Sequence, residues 1–255
     1  MSLFLIFVFI FYCGSSIGWI IELFFRRIVH GKWVNPGFLV GPYLPIYGLG
    51  LAIMTSIHVL LDNYDFHPIV AILLMGLCMT LLELVGGLIF LKAGVRLWDY
   101  RDRKFNYKGV ICPTFTVIWT LAGALYYFFL ATPVLNALEW FSNNLSFSYI
   151  LGIFTGCIVI DFCYSSKLYL KIRKYAKNNN IDVMYEKLKL HIKEKQEERK
   201  EKYSFLLPFY QTKNLIEYLM GYDEKAFTES LKEKKKNRKK KKKNGKQETN
   251  DKGNN

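Results

Sequence analysis

Three carboxylates stand inside stretches that are otherwise apolar: Glu22, Glu83 and Asp161. An acidic side chain at the centre of a membrane helix costs about 2.5–3.5 kcal/mol on insertion scales. Such a group therefore faces a protein interior or a wet cavity, where it can hold a cation, a proton or a polar substrate. At about 1.5 Å of rise per residue, Glu22 lies about 6 Å from Arg26, Asp161 about 9 Å from Lys167 and Glu83 about 13 Å from Lys92. A purely structural use is open to two of them, with Glu22 paired to Arg26 or Arg27 and Asp161 to Lys167. Glu83 has no basic neighbour in sequence. Gly14, Gly18 and Glu22 recur every four residues and share one helix stripe, as do Gly76, Thr80, Glu83 and Gly87 at spacings of three and four. Small residues on such stripes let helices approach closely, so both glutamates face partner helices. Asp161 lies about 140° round from Gly156 and lines up with Cys157 and Ser165 instead.

The elements that must position these groups follow from hydropathy. Five segments reach the roughly 20 apolar residues that a bilayer core demands: about 3–25, 43–61, 69–91, 110–131 and 147–166. The alternating pattern of a membrane barrel is absent. The charge is divided along the chain. Residues 1–166 carry 9 Lys/Arg against 8 Asp/Glu, and residues 167–255 carry 26 against 13. A soluble globular fold, a disulfide scaffold and a wholly disordered chain are excluded. The first loop holds Arg26, Arg27 and Lys32, the third holds Lys92, Arg96, Arg101, Arg103, Lys104 and Lys108, and the second and fourth hold no Lys or Arg. The positive-inside rule then places the first and third loops and the C-terminus in the cytoplasm and the N-terminus outside. The first segment lacks a basic n-region and runs longer than a signal h-region, so it reads as a retained helix. The five cysteines form no CxxC pair and the four histidines are scattered. Free thiols are expected, with no metal and no cofactor.

Two loops break the helical pattern. Trp33–Gly50 is apolar yet contains Pro36, Pro42 and Pro45 within ten residues, and Asn35-Pro36-Gly37 is a turn signal. Irregular apolar backbone at a membrane boundary is expected to be buried in protein or to line a cavity. The third loop places Trp98, Asn106 and Gly109 ahead of Pro113, much as the first places Trp33, Asn35 and Gly37 ahead of Pro42. Segments one–two and three–four thus read as a weak internal repeat.

These same residues resemble a known family. Gly18-Trp19-Ile-Ile-Glu22, Asn35-Pro-Gly-Phe-Leu-Val-Gly-Pro-Tyr-Leu-Pro-Ile-Tyr-Gly48, Glu83 with Gly86-Gly87, and Trp98-Asp-Tyr with Asn106 and Gly109 are similar to the Putative ABC-transporter type IV (CmpB-like) family of bacterial membrane proteins. The resemblance covers roughly residues 10–165 and departs from the family pattern at Pro36, at Arg101 and in the run 113–116. It implies a multi-pass protein of the bacterial cell membrane. No phosphate-binding G-x-x-x-x-G-K-[ST] loop is present, so any ATPase would be a separate subunit. The candidate substrate- or ion-binding set is Glu22, Glu83 and Asp161 with Asn35, Gly37, Gly41, Pro42, Tyr47, Trp98, Asp99 and Asn106.

Beyond the fifth segment, 167–231 reads as a cytoplasmic helical segment, with 181–203 a solvated helix of interleaved Glu and Lys. Lys232–Lys246 holds 11 Lys/Arg among 15 residues, and 232–255 reads as a disordered polybasic tail attracted to anionic lipid. The expectation is an all-α polytopic membrane protein with five transmembrane helices and a helical cytoplasmic extension. Functionally it is a permease component with a cytoplasm-facing polar site, a bilayer-embedded partner of an ATPase and a candidate homo-oligomer. The alternatives are a membrane-embedded enzyme acting on an anionic lipid-like substrate, for which no nucleophile–His pair speaks, and a non-transporting scaffold or regulatory subunit.

Overall fold

Prolines set where three of the helices begin. Pro45, Pro68 and Pro113 each occupy the first helical turn, where a missing N–H leaves nothing unsatisfied. In the computed structural model, which describes residues 2–179 and 183–198 and isolated positions between 223 and 236, 77% of the described residues are helical. The elements are α1 (Leu3–His30), α2 (Pro45–Asp62), α3 (Pro68–Lys92), β1 (Val95–Arg96), α4 (Pro113–Leu125), α5 (Ala131–Asn143), α6 (Ser148–Asn178), β2 (Val183–Met184) and α7 (Tyr185–Glu198). Five helical stretches are long and apolar enough to cross a membrane, α4 and α5 together forming one of them. Their outer faces carry exposed Ile17, Leu73, Phe128 and Ile160, a surface suited to lipid rather than water.

Two helix hairpins form the body. α1 lies along α2, and α3 along α4. Both contacts depend on glycine. A Cβ on Gly18 would collide with the Tyr47 side chain, and one on Gly76 with Thr120. The hairpins share a layout: each first helix is followed by a left-handed glycine, Gly31 at φ 69° and Gly94 at φ 72°, and each loop holds a second, Gly37 at φ 76° and Gly109 at φ 70°. Behind them, Met54, Ile57, Met75, Met79, Tyr126 and Ala131 form one apolar core. α6 stands at the edge. Among the described residues nothing comes within 4 Å of a Cβ placed on Gly152 or Gly156, so that small pair packs against none of the described helices.

The structure departs from sequence expectation in two places. The fourth stretch does not end near Ala131 but runs on to Asn143, through a π-helical turn at Tyr126–Leu130. Pro133 explains the turn. A proline inside a helix removes a hydrogen bond and clashes with the carbonyl four residues back, and the wider π turn just ahead relieves that crowding. The same turn aims Tyr126 inward, where its hydroxyl donates to Thr55 Oγ1 at 3.0 Å.

The second departure is α7. It is not solvated: Tyr185, Leu188, Lys189, Leu190, His191 and Ile192 are buried. They pack with Val34 of the first loop, Val95 of the third, and Leu168, Ile172 and Ala176 at the end of α6. β2 pairs in parallel with β1, Val95 beside Val183 and Arg96 beside Met184. The apolar run expected within 204–231 and the basic run Lys232–Lys246 lie outside the described residues, isolated positions apart.

The glycine contacts give a paired test. Gly76→Ala overpacks the α3–α4 contact and is expected to destabilise the protein by about 1–3 kcal/mol. Gly152→Ala meets open space and is expected to be neutral or stabilising by up to about 1 kcal/mol. Thermal unfolding of the two variants in one detergent measures the difference.

Candidate functional site

The site forms where the first and third loops meet the helix ends. Glu22 sits one turn after Trp19 and one turn before Arg26 on α1. Its carboxylate accepts from Tyr47 Oη at 3.0 Å and from Arg26 Nη2 at 3.1 Å. Tyr47 reaches it because Gly18 leaves room for the tyrosine ring. The expected pairing of Glu22 with Arg26 is therefore present. Arg26 does not belong to Glu22 alone, since its other terminal nitrogen pairs with Glu186 of α7.

Glu83 is only 4% exposed. Tyr100 Oη donates to it at 2.7 Å and Trp119 Nε1 at 3.1 Å. Neither donor is charged. A buried carboxylate bonded only by neutral donors has no fixed counter-charge, an arrangement that suits a cation site. Tyr47 links the two glutamates: its ring meets that of Trp119 edge-on at 6.3 Å. The cluster thus runs Arg26, Glu22, Tyr47, Trp119, Glu83, Tyr100, with Phe115 stacked on Tyr100 at 4.2 Å. Burial, and then the neighbouring Glu83 carboxylate, raise the Tyr100 phenol above its ordinary range, so it serves as a donor.

Asp161 is not part of this cluster. It accepts from Val40 N at 3.1 Å, Gly41 N at 2.7 Å, Tyr43 Oη at 2.8 Å and Ser165 Oγ at 2.9 Å. It does not pair with Lys167, because the peptide N–H groups of the first loop saturate it. Burial, and then the hydrogen bond to Asp161, raise the Tyr43 phenol. Asn35 works from the other side of the loop. Its Oδ1 accepts from Trp19 Nε1 at 2.7 Å and its Nδ2 donates to Val40 O at 2.6 Å. Gly37 supplies the left-handed turn between them, and Pro42 separates Gly41 from Tyr43 and lies ahead of α2. The remaining candidates shape the third loop. Trp98 Nε1 donates to Val110 O at 2.9 Å, and Asn106 Oδ1 accepts from Gly109 N at 2.9 Å. Asp99 is held by Arg101 at 2.6 and 2.8 Å. Burial works against its charge, but those hydrogen bonds outweigh it and lower its carboxyl. Of the sequence candidates, the structure brings Glu22, Tyr47 and Glu83 together. Asn35, Gly37, Gly41 and Asp161 brace the first loop, and Trp98, Asp99 and Asn106 brace the third.

Sequence reasoning missed Tyr100, Trp119, Glu186 and Lys189. Tyr and Trp carry a polar handle on an apolar ring, and two such rings, Tyr100 in the third loop and Trp119 within α4, were the available signal. Glu186, Lys189 and Lys193 recur at three and four residues, one face of α7. Glu186 contacts Arg26 and lies 2.5 Å from His30 Nε2. Lys189 Nζ donates to Asn35 O at 3.1 Å and Gly37 O at 2.8 Å, and Lys193 Nζ donates to Trp33 O at 2.9 Å. Among the described residues no cluster of three or more His, Cys, Asp or Glu could hold a metal.

The fold and the site define an integral membrane protein: two glycine-packed hairpins whose loops meet over a half-buried acidic–aromatic cluster with Glu83 at its buried end. Residues 9–166 match the family described as Putative ABC-transporter type IV, and the chain belongs to that family. No curated protein and no solved structure matches the chain.

The pH response of α7 follows from its two buried charges. Burial opposes the charge on Glu186, but Arg26 and His30 outweigh it and hold its carboxyl at about 2. Its contribution is complete above the ordinary 4.5 and is lost as pH falls towards 2. Lys189 shifts down to about 7 through burial and then Arg26, against the opposing pull of Glu186 and Asp161. The docked lysine sheds its proton more readily than a free one, so docking tightens as pH rises from about 7 towards 10.5. Protection of the α7 amides from hydrogen exchange, corrected for intrinsic rate, should rise between pH 7 and pH 9. In Lys189→Met that rise should vanish.

Proposed function

We propose that this chain is a permease-like component of a transport system, in which Glu22 and Glu83 form a polar site facing the cytoplasm. The observation that carries the reading is Glu83: a carboxylate 4% exposed, held among the described residues by Tyr100 and Trp119 and linked through Tyr47 to a second carboxylate. A group so placed costs stability unless it does something else. The family's description points to transport, and the aromatic lining suits a cation through both charge and ring faces. The orientation rests on the basic residues of the first and third loops, which place the site at the cytoplasmic side. A separate ATPase subunit is the proposed energy source. The chain's own sequence has no phosphate-binding loop. Anionic lipid at the polybasic tail and assembly into homo-oligomers complete the proposed environment.

A second reading is favoured by the saturation of both glutamates: Glu22 and Glu83 only tie helices together in a scaffold or regulatory subunit. Glu83→Gln separates the two. In proteoliposomes carrying gradients of Na⁺, K⁺ or tetramethylammonium, the permease reading expects flux in the parent and at least about a hundredfold less in Glu83→Gln, the loss of roughly 2.7 kcal/mol of site energy. Insertion and thermal stability should be kept. Full flux in the Gln variant defeats the role of Glu83, and a fall in stability without any parental flux supports the scaffold. Gentle purification of the native complex with mass spectrometry of co-purifying chains tests the partner: an ATPase chain in fixed ratio is expected, and its absence detaches the site from ATP-driven transport.

A further inference from the structure

The family match ends at residue 166, yet residues beyond it hold both loops that cover the site. β2 is bonded to the third loop through the Val95–Val183 and Arg96–Met184 pairs, with Val183 N donating to Gly94 O at 3.0 Å. α7 is bonded to the first loop: Lys189 holds the carbonyls of Asn35 and Gly37, Lys193 that of Trp33, and Tyr185 Oη that of Phe38 at 3.4 Å. Glu186 grips Arg26 and His30 at the end of α1. One short segment thus ties the first loop to the third.

Those two loops carry the site's own contacts. Asn35 anchors Trp19, one turn from Glu22, and Tyr100 of the third loop seals Glu83. Glu83 is the buried member of the pair, Tyr100 of the third loop covers it, and segment 183–193 joins that loop to the first. Arg26 couples the segment to the site directly, because one guanidinium serves Glu22 on one side and Glu186 on the other. The clasp is also of a kind that can release. An apolar seam of Val183, Leu188, Leu190 and Ile192 against Val34 and Val95 supports the clasp, while its charged contacts gain little net stability over their separated, hydrated state and are the part at which release can be tuned.

We propose that segment 183–193 is a latch that closes the loop end of the Glu22–Glu83 site, and that its release from Arg26 and the first-loop carbonyls opens that end. The proposal rests on the permease reading for what passes through the site, but the motion itself is read without a substrate. Cys112, at the start of α4 and 2% exposed, is the natural reporter. It lies just behind the third loop, next to Phe115 and Tyr100.

The test uses the full chain in nanodiscs with Cys13, Cys78, Cys157 and Cys163 replaced by Ala, and follows maleimide labelling of Cys112 by peptide mass spectrometry. Glu186→Gln combined with Lys189→Met should speed labelling about tenfold, the effect of losing hydrogen bonds to charged groups. A second variant guards against misfolding in the first. Val95→Cys with Val183→Cys joins register partners, so oxidation locks the latch. Labelling of Cys112 should slow about tenfold on oxidation and recover with reductant. Equal Cys112 rates in the oxidised and reduced forms overturn the latch. Failure of Glu83→Gln to change flux would instead strike the permease reading and leave these rates as they are.

Discussion

The structure depends on satisfying one stretch of buried, irregular backbone. Pro36, Pro42 and Pro45 prevent Trp33–Leu44 from forming a helix, yet Val34, Asn35, Leu39, Tyr43 and Leu44 are buried. Peptide groups away from water need partners, and an irregular segment does not supply its own. They come from elsewhere. Lys193 and Lys189 bond the carbonyls of Trp33, Asn35 and Gly37, and Asn35 turns its own amide on Val40 O. Asp161 takes the N–H groups of Val40 and Gly41, and Leu44 N donates to Ser15 O at 2.9 Å. Residues of α1, α6 and α7 thus converge on twelve residues of loop. Without the loop, α6 and α7 would have little to hold them to the hairpins.

That requirement sorts the three carboxylates, which look alike in sequence. Asp161 meets peptide N–H groups and hydroxyls, so its charge stabilises the loop. Glu22 meets an arginine and a tyrosine. Glu83 meets two neutral aromatic donors and no cation. Partners of different charge make different groups of them. Peptide dipoles offset Asp161 and a guanidinium offsets Glu22, whereas the neutral donors around Glu83 supply no counter-charge.

The hydrophobic lengths made the membrane segments legible, and the glycine stripes made legible which face of α1 and α3 meets a neighbour. The Glu22–Arg26 pair followed from spacing alone. Three things were not legible. The fourth segment reads as ending near Ala131 because the apolar run ends there, and the π turn that carries the helix on past Pro133 leaves no mark in the sequence. Asp161 reads as a partner of Lys167 because proximity along a helix is visible and a loop 120 residues away is not. α7 reads as solvated because its Glu and Lys residues look like a surface, whereas here Glu186 and Lys189 face fixed charges and carbonyls that belong to another part of the chain.

The boundary of the family match sharpens this last point. The hairpins and their loops lie within residues 9–166, and α7 with its clasp lies outside. The groups that the clasp satisfies, Arg26 and the carbonyls of Trp33, Asn35 and Gly37, all lie inside. The carbonyls arise from the loop's irregular backbone, and the guanidinium stands near the end of α1. They require donors and an acid from some source, whether water, a partner or the chain itself. In this chain α7 is that source, which makes a segment outside the common family core a direct neighbour of the acidic site.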